Sequence, residues 1–202
     1  MPNFGYTSKG IFEEYNSVNY IRGLKALCPE SGFAQSITAY FKQYGAKTPR
    51  IKCAVYTMGI NGLPDRLLAK SEEWTLPAGF DGWHTFNLLS NPELQPNTYY
   101  WLIFWTSDEV YAYYVTGDLG CDTSRVYDDW ADPFGNVGTQ GRVHSIYCTY
   151  RTAAPIYHTL RVESTPISVP VGINGSPIGN TPIEKTVEEG TYIIDVPTEA
   201  QA

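Results

Sequence analysis

Tyr99-Tyr100-Trp101-Leu102-Ile103-Phe104-Trp105 is the stretch of sequence that decides the fold. Successive side chains of a β-strand point to opposite faces of its sheet. The odd-numbered residues of this stretch therefore share one face and the even-numbered residues share the other. Both sets are apolar, so the stretch predicts a central strand that is covered on both sides, with Trp101 in the core.

Segments with strand-like alternation occur before and after this central strand, separated by turn residues such as Thr116-Gly117-Asp118. Such segments predict strands at Leu24–Leu27, Ser36–Lys42, Arg50–Tyr56, Leu68–Leu76, His84–Leu88, Tyr111–Thr116, Val143–Arg151, Leu160–Glu163 and Tyr192–Val196. No long segment has the 3.6-residue period of a helix. The pattern predicts an all-β, antiparallel sandwich. An amphipathic helix over Pro64–Trp74 is the main local alternative.

The composition excludes several classes of protein. The 202 residues include 14 Lys plus Arg and 21 Asp plus Glu, which gives a net charge of −7. That balance argues against nucleic-acid binding, which needs a basic face. No apolar run approaches the roughly 18 residues of a membrane-spanning helix, so we expect no membrane insertion. No signal sequence opens the chain, so an exported protein would already have lost it.

The sequence changes in character near residue 153, where Thr152-Ala153-Ala154-Pro155 predicts a linker. We expect a β-sandwich module over residues 1–153 and a small β module over residues 154–202. Asn174-Gly175 predicts a hairpin in the second module, because type I′ turns need positive φ at both central positions. Asn174-Gly175-Ser176 is also a sequon, open to glycosylation in an exported protein, although a turn alone explains it.

The second module resembles the PEGA domain, a small β-sandwich common in surface and secreted proteins of archaea and bacteria. The resemblance depends on four segments: Leu160–Pro166, Ile173-Asn174-Gly175, Gly179-Asn180-Thr181-Pro182 and Glu189-Gly190-Thr191-Tyr192. That family usually continues through another strand pair. The resemblance therefore implies that the module is truncated or is completed by a partner.

The first module resembles extracellular jelly-roll domains of the carbohydrate-binding or galactose-binding type. The matching segments are Leu24–Gly32, Ser36–Tyr40, Lys52–Tyr56, Gly82–Phe86 and Thr98–Leu102. The resemblance implies an appendage of a larger secreted protein and not a free-standing enzyme. It implies no particular ligand, since sandwiches host many functions.

Four cysteines, Cys28, Cys53, Cys121 and Cys148, lie in the first module. An even count in a module that looks extracellular favours disulfides, with three connectivities open. Four buried thiols are the alternative, because free cysteine packs as a small hydrophobe. No Cys or His spacing indicates zinc.

Aromatic residues outside the central strand are the candidate ligand-binding residues. Exposed rings on a sheet or loop rim stack on the C–H faces of sugars, and this set comprises Trp83, Tyr111, Tyr113, Tyr114 and Trp130. The alternative is that tyrosine is simply a good strand former in a half-buried sheet.

Five carboxylates lie close together in sequence and are candidate ligands of a structural calcium ion: Asp118, Asp122, Asp128, Asp129 and Asp132. Calcium takes six to eight oxygen ligands, often from such loops. The spacing is not that of an EF-hand. The alternative is a solvated acidic turn in which Arg125 forms a salt bridge.

No pattern favours catalysis. His84, His144 and His158 are scattered, and no metalloprotease, nucleophile-elbow or phosphate-loop motif occurs. His144 lies in a strand pattern, which indicates a local hydrogen bond. We therefore expect no enzyme and no catalytic residue.

Two functions are consistent with these patterns. The first is a non-catalytic, extracellular or cell-surface binding module of carbohydrate-binding type, whose partner is a polysaccharide or glycan and whose PEGA-like module acts as a spacer or docking unit. The second is a structural subunit of an archaeal or bacterial surface layer or extracellular filament. That alternative depends on self-association, with Tyr192–Val196 offering an unpaired edge for strand addition.

Overall fold

Every regular element in the computed structural model, which describes residues 1–152, 157–164, 168–188 and 191–197, is a β-strand. The first thirteen strands are Asn3–Gly5 (β1), Phe12–Asn16 (β2), Tyr20–Cys28 (β3), Gly32–Gln43 (β4), Arg50–Met58 (β5), Pro64–Lys70 (β6), Trp74–Thr75 (β7), Asp81–Asn87 (β8), Glu93–Leu94 (β9), Thr98–Thr106 (β10), Val110–Ser124 (β11), Gly138–His144 (β12) and Ile146–Thr152 (β13). The others are Tyr157–Val162 (β14), Pro170–Ile173 (β15), Ser176–Asn180 (β16), Ile183–Glu188 (β17) and Ile194–Asp195 (β18). The predicted all-β class is confirmed.

The chain divides into two units, Met1–Ala153 and Ala154–Ala202. In the first unit, antiparallel pairing joins β1 to β13 into one sheet that folds over itself as a sandwich. We call the part built on β8, β9, β4, β13, β1 and β2 layer 1, and the part built on β6, β7, β5, β10 and β3 layer 2. The predicted sandwich is confirmed, and β10 lies at the centre of layer 2 between β3 and β5.

Strand β11 belongs to both layers. Its first residues, Val110–Tyr114, pair with β2 and β4 in layer 1, whereas Gly120–Ser124 pair with β3 in layer 2. The register against β12 shifts between Thr116 and Gly120, where the strand bends from one layer to the other. The turn predicted at Thr116-Gly117-Asp118 is therefore wrong: these glycine-containing residues form a bulge inside a long strand.

The main core lies between the two layers. Even-numbered residues of β10 point into it, and Phe104 packs edge-on against Phe41 of layer 1 with ring centroids 5.3 Å apart. The alternation on β4 places Ile37, Ala39 and Phe41 in the same core. Side chains at the intervening positions of β4 consequently point outward from layer 1.

A second core covers the outer face of layer 2. Trp101 and Trp105 contribute to it from β10, which confirms that both faces of the central strand are buried. Residues 125–137, which connect β11 to β12 and which we call the lid loop, cover this face and insert Trp130 and Phe134. The Lys52 ammonium donates to the Asp128 carbonyl and lies 4.4 Å from the Trp105 ring centroid, which fastens the loop to β5.

In the second unit, β14 pairs with β17, and β15 lies between β16 and β18. The predicted Asn174-Gly175 hairpin is confirmed, because Ile173 pairs with Ser176 and both turn residues have positive φ, 50° and 78°. Ala153–Pro155 of the predicted linker lie outside the described residues, as do Thr165, Pro166, Glu189 and Gly190.

Several predicted strands differ from those observed. Pro64–Lys70 is a strand, so the helix considered there is wrong. The strand predicted over Val143–Arg151 is interrupted at Ser145, whose amide donates to the Tyr113 carbonyl. The strand predicted over Tyr192–Val196 shortens to β18.

Candidate functional site

The outward side of layer 1 carries a continuous group of aromatic side chains, which we call the aromatic face. Strand register places its residues side by side: Trp83 of β8 pairs with Tyr40 of β4, and Tyr111 of β11 pairs with Tyr15 of β2. The face comprises Trp83, Tyr40, Tyr113, Tyr147, Tyr111, Tyr15 and Tyr44. Five strands, β2, β4, β8, β11 and β13, thus build one surface.

The rings of the aromatic face pack edge to face. Tyr40 is the centre of one group, with ring centroids 5.3 Å from Trp83 and 5.0 Å from Tyr113 and interplanar angles of 83° and 72°. Tyr147 extends this group, 5.5 Å from Trp83. Such contacts hold aromatic pairs in fixed orientation. The surface is therefore preformed but not flat.

A second aromatic group adjoins the first. The Tyr44 ring centroid lies 4.9 Å from that of Tyr15 and 5.3 Å from that of Tyr111. Tyr15 and Tyr111 are cross-strand neighbours, so the group continues the aromatic face across β2 and β11. Half-exposed and exposed tyrosine rings thus extend over the full width of this part of layer 1.

Carboxylates fix the tyrosine hydroxyls. Tyr40 donates to Asp81 at 2.8 Å, Tyr113 donates to Glu13, and Tyr15 donates to Glu109. The bond to Glu109 raises the pKa of Tyr15 to about 12, because the charged acceptor disfavours the phenolate. Lys42 and Tyr113 both donate to Glu13 and lower its pKa, so this carboxylate stays ionised.

Two lysines complete the charge pattern. Lys9 Nζ lies 4.2 Å from the Tyr113 ring centroid, 4.6 Å from the Tyr40 centroid and 3.8 Å from Asp81. Lys42 Nζ lies 2.6 Å from Glu13. Each of the two ammonium groups therefore has a carboxylate partner, and the face combines apolar rings with hydrogen-bonding groups.

Backbone packing holds Lys9 above the rings. The next residue, Gly10, donates its amide to Ser145 Oγ at 2.8 Å. A Cβ at position 10 would lie 2.4 Å from the Tyr114 carbonyl oxygen, so only glycine allows this close approach. Because the Lys9 side chain lies over its ring, Tyr113 is only 5% exposed.

The structure brings together three of the five aromatic residues predicted to bind a ligand: Trp83, Tyr111 and Tyr113. The predicted exposure of Tyr113 is wrong, however, because this ring is buried under Lys9. Tyr114 follows Tyr113 in the strand and packs with Phe12, 5.5 Å between ring centroids. Trp130 was predicted to be exposed, and that prediction is wrong: it is only 7% exposed because the lid loop inserts it into the second core.

Four residues of the aromatic face were missed: Tyr40, Tyr147, Tyr15 and Tyr44. One signal was present for Tyr40, since Thr38, Tyr40 and Lys42 form the polar side of an alternating strand. Predicting the other three residues would have required the register between strands, which cannot be read from any single segment.

The five aspartates are not brought together: among the described residues, no group of three or more His, Cys, Asp or Glu side chains could hold a metal ion. Asp118 and Asp122 lie on β11, whereas Asp128, Asp129 and Asp132 lie in the lid loop. Each has its own surroundings. Asp122 accepts from Tyr20 at 2.8 Å, Asp129 pairs with Lys70 at 2.7 Å, and Asp132 lies 3.7 Å from Arg66.

All four cysteines are free, buried thiols, so the predicted disulfides are not present. Cys28, Cys53 and Cys148 face the main core, whereas Cys121 faces the second core on the opposite side of layer 2. Burial raises the pKa of each of the four thiols, which keeps them protonated and unreactive.

A buried polar cluster lies where β11 bends between the layers. Glu14 contacts Arg22 at 2.5 Å and also pairs with Arg142, while both arginines donate to Gln140. Burial raises the pKa of Glu14 even beside two guanidinium groups. Gln140 Nε2 lies 3.4 Å from His144 Nε2, as the predicted local hydrogen bond requires.

The histidines occupy separate places. Burial, together with the nearby arginines, lowers the pKa of His144 to about 3. His84 stacks on Trp74 with ring centroids 3.6 Å apart, and burial lowers its pKa. The side chain of His158 lies outside the described part of the structure. Glycosylation of Asn174, which is exposed at the hairpin tip, stays a prediction.

Comparison with known proteins identifies the second unit. No curated protein matches the chain. The described residues contain no helix that is long and apolar enough to cross a membrane. Residues 157–200 match the family model of the PEGA domain, a known extracellular-type module, which confirms the resemblance seen in that segment.

Proposed function

We propose that this chain is a non-catalytic, extracellular module that binds a carbohydrate on the aromatic face, and that its PEGA domain acts as a spacer or docking unit. The supporting observation is the preformed group of edge-packed rings on layer 1, with the Glu13–Lys42 pair among them. Sugars present both apolar C–H faces and hydroxyls. This surface offers matching partners for both.

Charge and shape define the class of glycan. Lys9 and Lys42 are paired with Asp81 and Glu13, so neither ammonium group is left to pair with a polyanionic polymer. Interplanar angles of 83° and 72° between neighbouring rings exclude a flat platform for a crystalline surface. A soluble chain of neutral sugars, contacting successive rings at different angles, fits this surface.

Titration calorimetry against a panel of neutral, soluble polysaccharides and their oligosaccharides tests this function. We expect binding to at least one of them, weakened about 30-fold by Trp83→Ala or Tyr40→Ala, since truncating an aromatic anchor removes roughly 2 kcal/mol or more. Tyr99→Ala is the matched control, because this exposed tyrosine lies on β10, outside the aromatic face. Absence of binding to every glycan at millimolar concentration would contradict the proposal.

A second candidate function is a structural subunit of an archaeal or bacterial surface layer or extracellular filament. The observation that favours it is the edge strand β18, which bonds to β15 through only two residue pairs. Beside it, Ile193 is 67% exposed. Exposed apolar strand edges invite pairing with another chain. Self-association measured by light scattering would separate this function from glycan binding by a monomer.

A further inference from the structure

Strand β3 has an open edge. It pairs with β10 along its whole length, from Tyr20 to Cys28, but with β11 only from Tyr20 to Leu24. Beyond Leu24, β11 bends away into layer 1. Among the described residues, Lys25–Cys28 therefore have no strand partner on that side. Gly5 and Tyr6, at the end of β1, line the far side of this edge without pairing with it, and alternate residues of the segment present backbone N–H and C=O groups to the space between.

A groove of about 340 Å³ follows this open edge. The described residues that line it are mainly apolar and include Leu24 and Leu27 of β3, Leu119 of β11 and Val143 of β12. Leu27 and Leu119 are exposed, although leucine side chains are usually covered. Backbone groups beside apolar side chains suit an extended peptide, which adds a strand and inserts alternate side chains.

The charge pattern of the groove selects its occupant. Lys25 is the one charged residue among the described residues that line it, and its side chain points to the outer face of layer 2, beside Tyr99. The segment 191–197, which contains β18, has Asp195 as its one charged residue. In an extended strand Ile194 and Val196 point to the side opposite Asp195. Aspartate can thus face Lys25 while the two apolar side chains enter the sandwich.

Strand β18 is available for this pairing. It is the last strand of its three-stranded sheet, so one of its edges has no strand partner among the described residues. Ile194 and Val196 are both exposed. Asp195 accepts one bond through Oδ2 from the Gly175 amide at 2.6 Å, and a carboxylate can accept several more.

We propose that the open edge of β3 between Lys25 and Cys28 accepts strand β18 of a second copy of this chain. Donor and acceptor belong to different units of the chain, so the contact is head-to-tail and can repeat from copy to copy. The inference does not involve the aromatic face. It supplies an acceptor site for the second candidate function and depends on that function.

Sedimentation velocity of the full chain over a range of concentrations tests the inference. We expect association that increases with concentration and that Lys25→Glu or Asp195→Lys each weakens at least about fivefold, because each change places like charges together. Combining the two changes restores opposite charges and should recover the association. Lys185→Glu, an exposed lysine on β17, is the control for net charge and should leave association unchanged.

A synthetic peptide of residues 191–197 provides a second measurement on the folded full chain. We expect it to inhibit association of the wild-type chain and to bind the Lys25→Glu variant more weakly. The inference would be overturned if the chain stayed monomeric at all concentrations. It would also be overturned if association were unchanged in both the Lys25→Glu and the Asp195→Lys variants. Loss of association in both single variants without recovery in the double variant would also overturn it. Glycan affinity affects none of these outcomes.

Discussion

Trp130 and Trp83 were both predicted to bind a ligand, but Trp130 lies in the second core and Trp83 on the aromatic face. Substituting each with alanine should therefore have different effects on stability and on glycan binding. Trp130 lies in the second core, 5.2 Å from Trp105 and 6.1 Å from Tyr56 between ring centroids. Its burial removes roughly 150–250 Å² from water, worth about 4–6 kcal/mol at about 25 cal/mol per Å². Measured Trp→Ala substitutions in cores cost about 3–5 kcal/mol. We expect Trp130→Ala to lower the free energy of unfolding by about 3–5 kcal/mol.

Urea denaturation followed by far-UV circular dichroism measures this change without depending on tryptophan emission. Trp83→Ala is the matched control, since its half-buried side chain lies on the outer surface of layer 1. We expect Trp83→Ala to cost about 1 kcal/mol and to reduce glycan binding, whereas Trp130→Ala should leave glycan affinity unchanged where the chain is still folded. A loss below about 1 kcal/mol for Trp130→Ala would refute the conclusion that the lid loop closes a second core.

Other consequences can be measured on the same protein. Lys9→Ala should strengthen glycan binding about two- to fivefold in calorimetry, because a cation–π contact of about 0.5–1 kcal/mol no longer competes for Tyr113; weaker binding would show that Lys9 contacts the sugar. Burial holds the pKa of His144 at about 3, against 6.5 ordinarily, so between these values the unfolded chain binds a proton that the folded chain does not. Stability should therefore fall as pH decreases from about 6.5 to about 3, by up to about 1.4 kcal/mol per pH unit, and His144→Gln should flatten that slope. Glu14→Ala should cost about 3–5 kcal/mol in urea denaturation, because it removes the carboxylate that pairs with the buried Arg22 guanidinium and with Arg142. All four cysteines should resist a thiol reagent in the native protein and all four should react in denaturant; fewer than four would indicate a disulfide.

Much of the sandwich was predictable because strand alternation is a local property. The two apolar faces of Tyr99–Trp105 indicated a central strand, and β10 occupies that place. Because both faces of this strand are apolar, the sequence also implied that some other part of the chain covers the outer face of layer 2. Nothing in the sequence near Trp130 indicated that an acidic loop supplies that cover, because its carboxylates pair with Lys70 and Arg66 of β6, a strand far away in sequence.

The candidate site was predictable only in part. Trp83, Tyr111 and Tyr113 are recognisable singly as aromatic residues near turns or in alternating strands. Tyr40 joins them through the pairing of β4 with β8, and a one-residue shift in that register would turn it into the core. The bend in β11 was missed for a different reason: Gly117 occurs in turns and in bulges alike, and local sequence does not distinguish the two.

The course of β11 has a mechanical consequence. Tyr111 and Tyr113, near its start, belong to the aromatic face, whereas Leu119, at its bend, lines the groove beside β3. The two surfaces are joined by one continuous backbone. Tension applied at the groove would therefore pass along covalent bonds into the layer that carries the aromatic face, and we expect the two layers to resist separation as a single cooperative unit.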